Sequence, residues 1–218
     1  MKVRQFDLEL KVFQQQLIAL GSLAEHMVHD SVMSLLERNE TLAKQTIEKD
    51  IEADQLDYDI KGKCILYTAL HHPKASDLRL IAMAAYISHD LERIADKAVN
   101  ISQRGLELIK YPPVKPYVDL PVMSDMVQKM VKDALDAFVN RDADLALDVA
   151  RRDAEVDQIY GKTADELINF MEESNVIRPA ISLLLACRHL ERIGDLAENI
   201  GEQVYYLIKG TTVETQLA

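Results

Sequence analysis

The stretch His89-Asp90-Leu91-Glu92-Arg93-Ile94-Ala95-Asp96-Lys97-Ala98-Val99-Asn100-Ile101 returns near the end of the chain as His189-Leu190-Glu191-Arg192-Ile193-Gly194-Asp195-Leu196-Ala197-Glu198-Asn199-Ile200. When Glu92 is laid on Glu191, Leu91, Arg93, Ile94, Asp96, Ala98, Asn100 and Ile101 also find identical partners. If both copies are helical, Glu92, Asp96 and Asn100 stand one above another, as do Glu191, Asp195 and Asn199, because residues four apart are helix neighbours. Two carboxylates stacked in this way repel by about 0.2–0.5 kcal/mol on an exposed helix. A chain that builds the arrangement twice has a reason to place a cation there.

The duplication reaches well beyond this motif. When Met27 is laid on Met130, Val28, Asp30, Arg38, Leu42, Ala43, Asp50 and Asp54 find Val131, Asp133, Arg141, Leu145, Ala146, Asp153 and Asp157. By the third helix of each copy the offset has shortened, so the intervening loops differ in length. Apolar residues at three- and four-residue steps, such as Leu10, Phe13, Leu17, Leu20, Leu23 and Met27, predict a first amphipathic helix over Phe6 to Arg38. Asn39-Glu40-Thr41 offers a break and a new N-cap. A second helix is expected through Leu42, Ile47, Ile51, Leu56, Ile60 and Ile65, as far as His71-His72-Pro73. Ser76 or Asp77 is placed to cap a third, which carries the first motif to about Lys110.

The second half repeats the plan: a helix over Val122 to Val139, a break with an N-cap at Asn140-Arg141-Asp142, a helix to about Glu173, and a last one reaching Gly210. Ser174, Asn175 and Pro179 punctuate the entry to that last helix, and the tail from Thr211 to Ala218 is expected to fray. Between the halves, Pro112, Pro113 and Pro116 mark a linker. The expected organisation is a first three-helix repeat over 1–110, a Pro-rich linker over 111–119 and a second repeat over 120–218. With no strand-like alternation, the fold class is all-α: two tandem three-helix bundles, six helices in all, related by internal duplication and pseudo-two-fold symmetry.

Composition narrows the function classes. The 218 residues are 48% hydrophobic and 28% charged, with seven Gly and six Pro, which suits a helical globular protein. A formal net charge of −11 and the lack of any long Lys/Arg run argue against nucleic-acid binding. Cys64 and Cys187 are not in CxxC spacing and read as buried free thiols. Nothing in Met1 to Asp30 reads as a secretory signal, and apolar runs such as Ile81 to Ile87 fall far short of the roughly 20 residues that cross a bilayer. A cytoplasmic location is expected, with membranes reached only through partners.

The second helix of each repeat carries its own carboxylate pair, Asp50 with Asp54 and Asp153 with Asp157. Antiparallel neighbours would bring these pairs against the motif carboxylates, forming two oxygen-rich clusters: Asp50, Asp54, Glu92, Asp96 and Asn100, then Asp153, Asp157, Glu191, Asp195 and Asn199. Such a set suits a divalent or trivalent metal, with iron, manganese, magnesium or calcium ahead of a structural zinc. Surface neutralisation by Arg93, Arg192 or Lys97 is the plain alternative, giving a metal-free scaffold. A carboxylate-bridged di-metal enzyme is the other, but it would need Glu-x-x-His pairs. None of His26, His29, His71, His72, His89 and His189 has an acidic residue three positions before it. His89 and His189 do not align with each other, so the repeat does not make them ligands.

Phe6-Asp7-x-Glu9-Leu10, Pro73-x-Ala75-Ser76-Asp77-Leu78-Arg79 and the doubled Leu-Glu-Arg-Ile-(Ala/Gly)-Asp-x-Ala-x-Asn-Ile resemble the PhoU family, regulators of bacterial phosphate-specific transport. Ala95 departs from the family's usual Gly, which Gly194 keeps, and the second half lacks the Pro-x-Ala-Ser-Asp-Leu-Arg segment. The resemblance implies paired three-helix bundles with iron or zinc on the (Glu or Asp)-x-x-x-Asp motifs, and a common homodimer. It also implies a non-enzymatic negative regulator of phosphate uptake and phosphate-starvation signalling. Such an adaptor links the ATPase subunit of a phosphate ABC transporter to a phosphate-sensing histidine kinase.

Overall fold

The structure, a computed structural model, describes residues 5–112, 119–174 and 177–213. Most of the Pro-rich linker, Asn175 at the expected entry to the last helix, and the tail beyond Val213 lie outside them. The described residues form seven helices and no strand: α1 (Gln5–Leu36), α2 (Glu40–Glu48), α3 (Asp50–His71), α4 (Ala75–Leu108), α5 (Asp119–Asn140), α6 (Ala143–Ser174) and α7 (Ile177–Lys209). The seventh arises because the expected second helix is interrupted at Lys49. That residue keeps right-handed helical angles, but the ladder around it loosens, with Lys49 N to Gln45 O and Ala53 N to Lys49 O both stretched to 3.3 Å. In the second repeat the same path is the single helix α6.

The two halves start alike. Arg38 and Arg141, equivalent in the repeat, both take left-handed φ angles, 56° and 52°, where α1 and α5 end. The next residue caps the following helix: Asn39 accepts from Leu42 N at 3.0 Å, and Asp142 accepts from Asp144 N and Leu145 N at 3.0 Å. Lys49 bonds Asp30 at 2.8 Å, and the equivalent Arg152 bonds Asp133 at 2.6 Å. Ser76 and Asp77 sit inside the first turn of α4 rather than ahead of it, because the helix starts directly after the extended Lys74.

The hydrophobic core is continuous across both repeats, with Phe13, Leu17, Leu20, Met27, Ile60, Ile87, Leu91 and Ile94 fully buried in the first. The motif helices α4 and α7 pack against each other as an antiparallel spine. Gln203 on α7 donates to Asp90 on α4 at 2.7 Å, while Ser182 near the start of α7 donates to Glu107 near the end of α4 at 3.0 Å. Helices α1 and α5 flank this spine, and α3 and α6 lean on its outer faces. At the far end Thr211 and Thr212 are exposed but Val213 is buried, so the tail packs at that residue where fraying is the expectation. Not every apolar position of the second helix goes inward. Ala53, Ile60, Cys64 and Tyr67 are buried, whereas Ile51 and Ile65 are about three-quarters exposed, as is Tyr58.

Neither cysteine is in a disulfide and both are buried, and burial pushes the Cys64 thiol up to about 11. Among the described residues no helix is long and apolar enough to cross a membrane.

Arg38 closes the far end of α4. Its guanidinium donates to the carbonyls of Leu108, Ile109 and Tyr111 at 3.1, 2.9 and 2.5 Å, where a helix end leaves acceptors unpaired. Replacing it with alanine is expected to destabilise the fold by about 1.5–3 kcal/mol, the usual worth of hydrogen bonds from a charged donor. Arg141 is exposed, and its replacement should cost much less; equal losses in chemical denaturation would refute the capping role.

Candidate metal centres

Two triads of potential ligands come within 4.8 Å of one another among the described residues, one per repeat. In the second repeat the triad is Asp153 and Asp157 from α6 with Asp195 from α7. Glu191 lies one turn before Asp195 on α7 and feels both Asp195 and Asp157. Four of the five ligand candidates read from the second half therefore share one patch. The fifth, Asn199, lines the groove between α4 and α7. Glu198, one residue before it, belongs to the patch instead: burial raises its carboxyl, followed by the fields of Glu202, Asp195 and Asp157. Sequence periodicity passed over Glu198 because it lies off the four-residue ladder.

In the first repeat the triad is Asp57, His89 and Glu92. Glu92 was expected; Asp57 and His89 were not. Asp54 and Asp96 lie close enough for their charges to reach both Glu92 of this triad and Asp50. Burial and then Asp54 and Asp96 raise Asp50, while burial and then Asp96, Asp57 and Asp54 push Glu92 up to about 7. Asn100 spends its side-chain amide on the Asp96 carbonyl at 2.7 Å, a bond within its own helix. One signal for Asp57 was available, since it stands one turn beyond Asp54, but the repeat places Tyr160 opposite it and so hid it.

A single methyl group accounts for part of the asymmetry. A β-carbon at Gly194 would stand 2.8 Å from the Asp153 carboxylate, too close for any real side chain. Glycine there lets Asp153 sink against α7, where it is 8% exposed. The first repeat has Ala95 instead, fully buried, and its Asp50 sits only half-buried.

The two clusters also differ in how their charge is met. In the first, Lys61 reaches Asp57 at 2.6 Å, Ser88 donates to the other Asp57 oxygen at 2.8 Å, and His89 stands 3.6 Å from Glu92. In the second, Arg188 pairs with Glu191 and Arg192 with Asp195, both from the α7 side. Two buried oxygens there have no hydrogen-bond partner, Asp153 Oδ1 and Glu191 Oε2, although the second faces Arg192 Nε at 3.6 Å. Buried carboxylate oxygens are seldom left so, because the desolvation penalty goes unrelieved.

Burial first, and then Glu198, Asp157, Asp195 and Glu191, push Asp153 up to about 7. A carboxyl raised in the fold favours its protonated form, so stability is lost as pH climbs from the unfolded value near 4 through about 7. The metal-free protein is expected to melt higher at about pH 5 than at about pH 8. Loaded metal should reverse that order, because ligands must be deprotonated to hold it. Melting curves at the two pH values, with and without chelator, check both signs.

The comparisons with known proteins agree with this architecture. The family described as "PhoU domain" matches residues 17–105 and again 120–204. The phosphate-specific transport system accessory protein PhoU homolog of Pseudomonas putida is 42% identical over 212 residues, spanning 96% of this chain and 83% of that protein. The accessory protein PhoU of Escherichia coli strain K12 is 33% identical, over 94% of this chain and 86% of its own. Among solved structures, PhoU from Pseudomonas aeruginosa superposes with a TM-score of 0.92 at 41% identity, covering 95% of this chain and 100% of that one. The phosphate transport system regulatory protein PhoU from Streptococcus pneumoniae superposes at 0.89, with 30% identity over 96% and 99%. With both helical repeats matched and nearly the whole chain covered, this protein belongs to the PhoU family.

Proposed function

We propose that the chain is an accessory regulator of a phosphate-specific transport system, acting through protein contacts on the cytoplasmic side and not as an enzyme. The observation that carries this reading is the family match in both repeats, together with relatives named as accessory proteins of that system. Its partners are the transporter's ATPase subunit and a phosphate-sensing histidine kinase, and its effect is to restrain uptake and the starvation response when phosphate is plentiful. Exposed apolar residues on α3, including Ile65, Leu66 and Leu70, are the kind of surface a protein partner covers. A homodimer is the proposed assembly.

The carboxylate clusters are proposed as metal sites. The buried, unbonded Asp153 Oδ1 supports the second most strongly, and the donors Asp153, Asp157, Glu191, Asp195 and Glu198 fit a hard cation. Iron is placed first, with manganese, magnesium or calcium also matched to an all-oxygen set. In the first cluster Asp57, His89 and Glu92 add an imidazole, a donor suited to iron(II) or zinc, and Lys61 would have to yield its place. What a bound cation supplies is charge, drawing α6 onto α7 and α3 onto α4. Asp153 and Asp157 would hold it from one helix, Asp195 and Glu191 from the other.

A pull-down with the full chain from cells grown with and without phosphate tests the regulatory reading. Recovery of the transporter ATPase and the sensor kinase, stronger in phosphate-replete cells, is expected. Recovery of neither under both conditions would refute it.

A further inference from the structure

A groove of about 450 Å³ runs between α4 and α7, and Asp195 of the second carboxylate cluster forms part of its wall. Arg93 and Lys97 line it from α4, and Arg188, His189 and Arg192 from α7, against the single carboxylate of Asp195. In a chain of formal net charge −11, this concentration of cations is out of keeping with the surface around it.

The groove straddles the internal two-fold relation of the repeats. Arg93 and Arg192 are the same arginine of the doubled motif, and the antiparallel packing of α4 on α7 brings the two copies to one place. The cations are incompletely neutralised. Lys97 forms no ion pair among the described residues. Arg93 meets Asp90 only at 3.4 Å, and that carboxylate already accepts from Gln203 at 2.7 Å. Burial, and then the charges of Lys97 and Arg104, hold His189 toward its neutral form, so the groove's charge comes from the arginines and Lys97. Arg188 and Arg192 are held in position by Glu191 and Asp195, and Arg188 also lies over the Tyr160 ring at 5.4 Å.

We propose that this groove binds a multiply charged phosphoryl anion, either inorganic phosphate or the phosphoryl groups of a larger anion. Several convergent cations call for a ligand with more than one negative charge, and guanidinium forks match phosphoryl oxygens two at a time. The local field would also concentrate such an anion near the groove, with strong dependence on ionic strength. Two of the cations are shared, since Arg188 and Arg192 pair with carboxylates of the second cluster. A cation on those carboxylates would release the arginines towards the groove, so metal and anion should each tighten the other's binding by the same factor. That coupling rests on the metal reading; the anion site does not.

Isothermal titration of the full chain, first stripped of metal and at low salt, tests the proposal with inorganic phosphate and with tripolyphosphate as probes. Saturable binding of either is expected, weakening as salt is raised, and weakened at least tenfold by Arg93→Gln with Lys97→Gln. Neither residue touches the second cluster's carboxylates, and matching melting curves show that the variant is folded. Binding of phosphate alone or of both probes identifies the free anion as sufficient; binding of tripolyphosphate alone identifies a phosphoryl chain, and each supports the site. No binding of either probe, or binding that the double variant leaves unchanged, overturns it. Binding that appears only after metal loading and survives the double variant places the anion on the metal and overturns it too. Metal content measured separately tells a failed metal reading from a failed anion site.

Discussion

Chelating the metal-loaded protein is expected to lower its melting temperature by about 8–16 °C. A ligand present at about a thousand times its dissociation constant contributes about 4.1 kcal/mol. For a chain of this length each kcal/mol moves the midpoint by roughly 2–4 °C. Asp153→Asn combined with Asp157→Asn should remove the second cluster's metal and its share of that shift. In the metal-free protein the sign should turn. The same double variant removes the cost of burying the charge, and then the repulsion, that together push Asp153 up to about 7, so it should melt no lower than the parent. A scaffold whose carboxylates served only structural ion pairs would lose equal stability in both forms, and elemental analysis together with the two melting curves separates the cases.

The second large effect concerns how closely α6 and α7 approach. A β-carbon at Gly201 would lie 2.8 Å from the Ala146 carbonyl and 3.4 Å from the Val149 side chain. A backbone carbonyl cannot rotate away, so the two helices would have to part. Gly201→Ala is therefore expected to cost about 1–3 kcal/mol, the range for overpacking a filled interior. Gly62→Ala and Gly161→Ala should go the other way, gaining about 0.5–1 kcal/mol each, since both lie in helices with nothing near the added carbon. Denaturant midpoints for the three variants decide the matter, and a neutral Gly201→Ala would mean the helices slide apart freely. Because this contact supports the face that carries Asp153 and Asp195, the variant should also lose metal from the second cluster.

The repeat was legible in the sequence because its signals are local. Asn39 and Asp142 cap helices through bonds to residues two or three positions on, and Arg38 and Arg141 share a left-handed turn. The break at Lys49 was not legible, since Lys49 itself keeps helical angles and no breaker residue marks it. The carboxylate faces were legible as ladders of four, which placed Asp153, Asp157, Glu191 and Asp195 correctly on facing helices. Asp57, His89 and Glu198 escaped because they join their clusters across helices, at rotations that the four-residue step does not describe. Matching the repeats also obscured Asp57 and His89, whose counterparts Tyr160 and Arg188 have different chemistry.

By itself the sequence determined the all-helical class, the duplication and the two acidic faces, because helical period, capping and self-similarity are properties of neighbouring residues. Only the tertiary structure decided which carboxylates meet. The depth of Asp153 turns on a missing β-carbon at Gly194, and the Asp57–His89–Glu92 triad turns on how α3 leans on α4. The same holds for the cationic groove. Arg93 and Arg192 are far apart along the chain, and they meet only because antiparallel packing of α4 on α7 sets the two copies of one motif across a common axis.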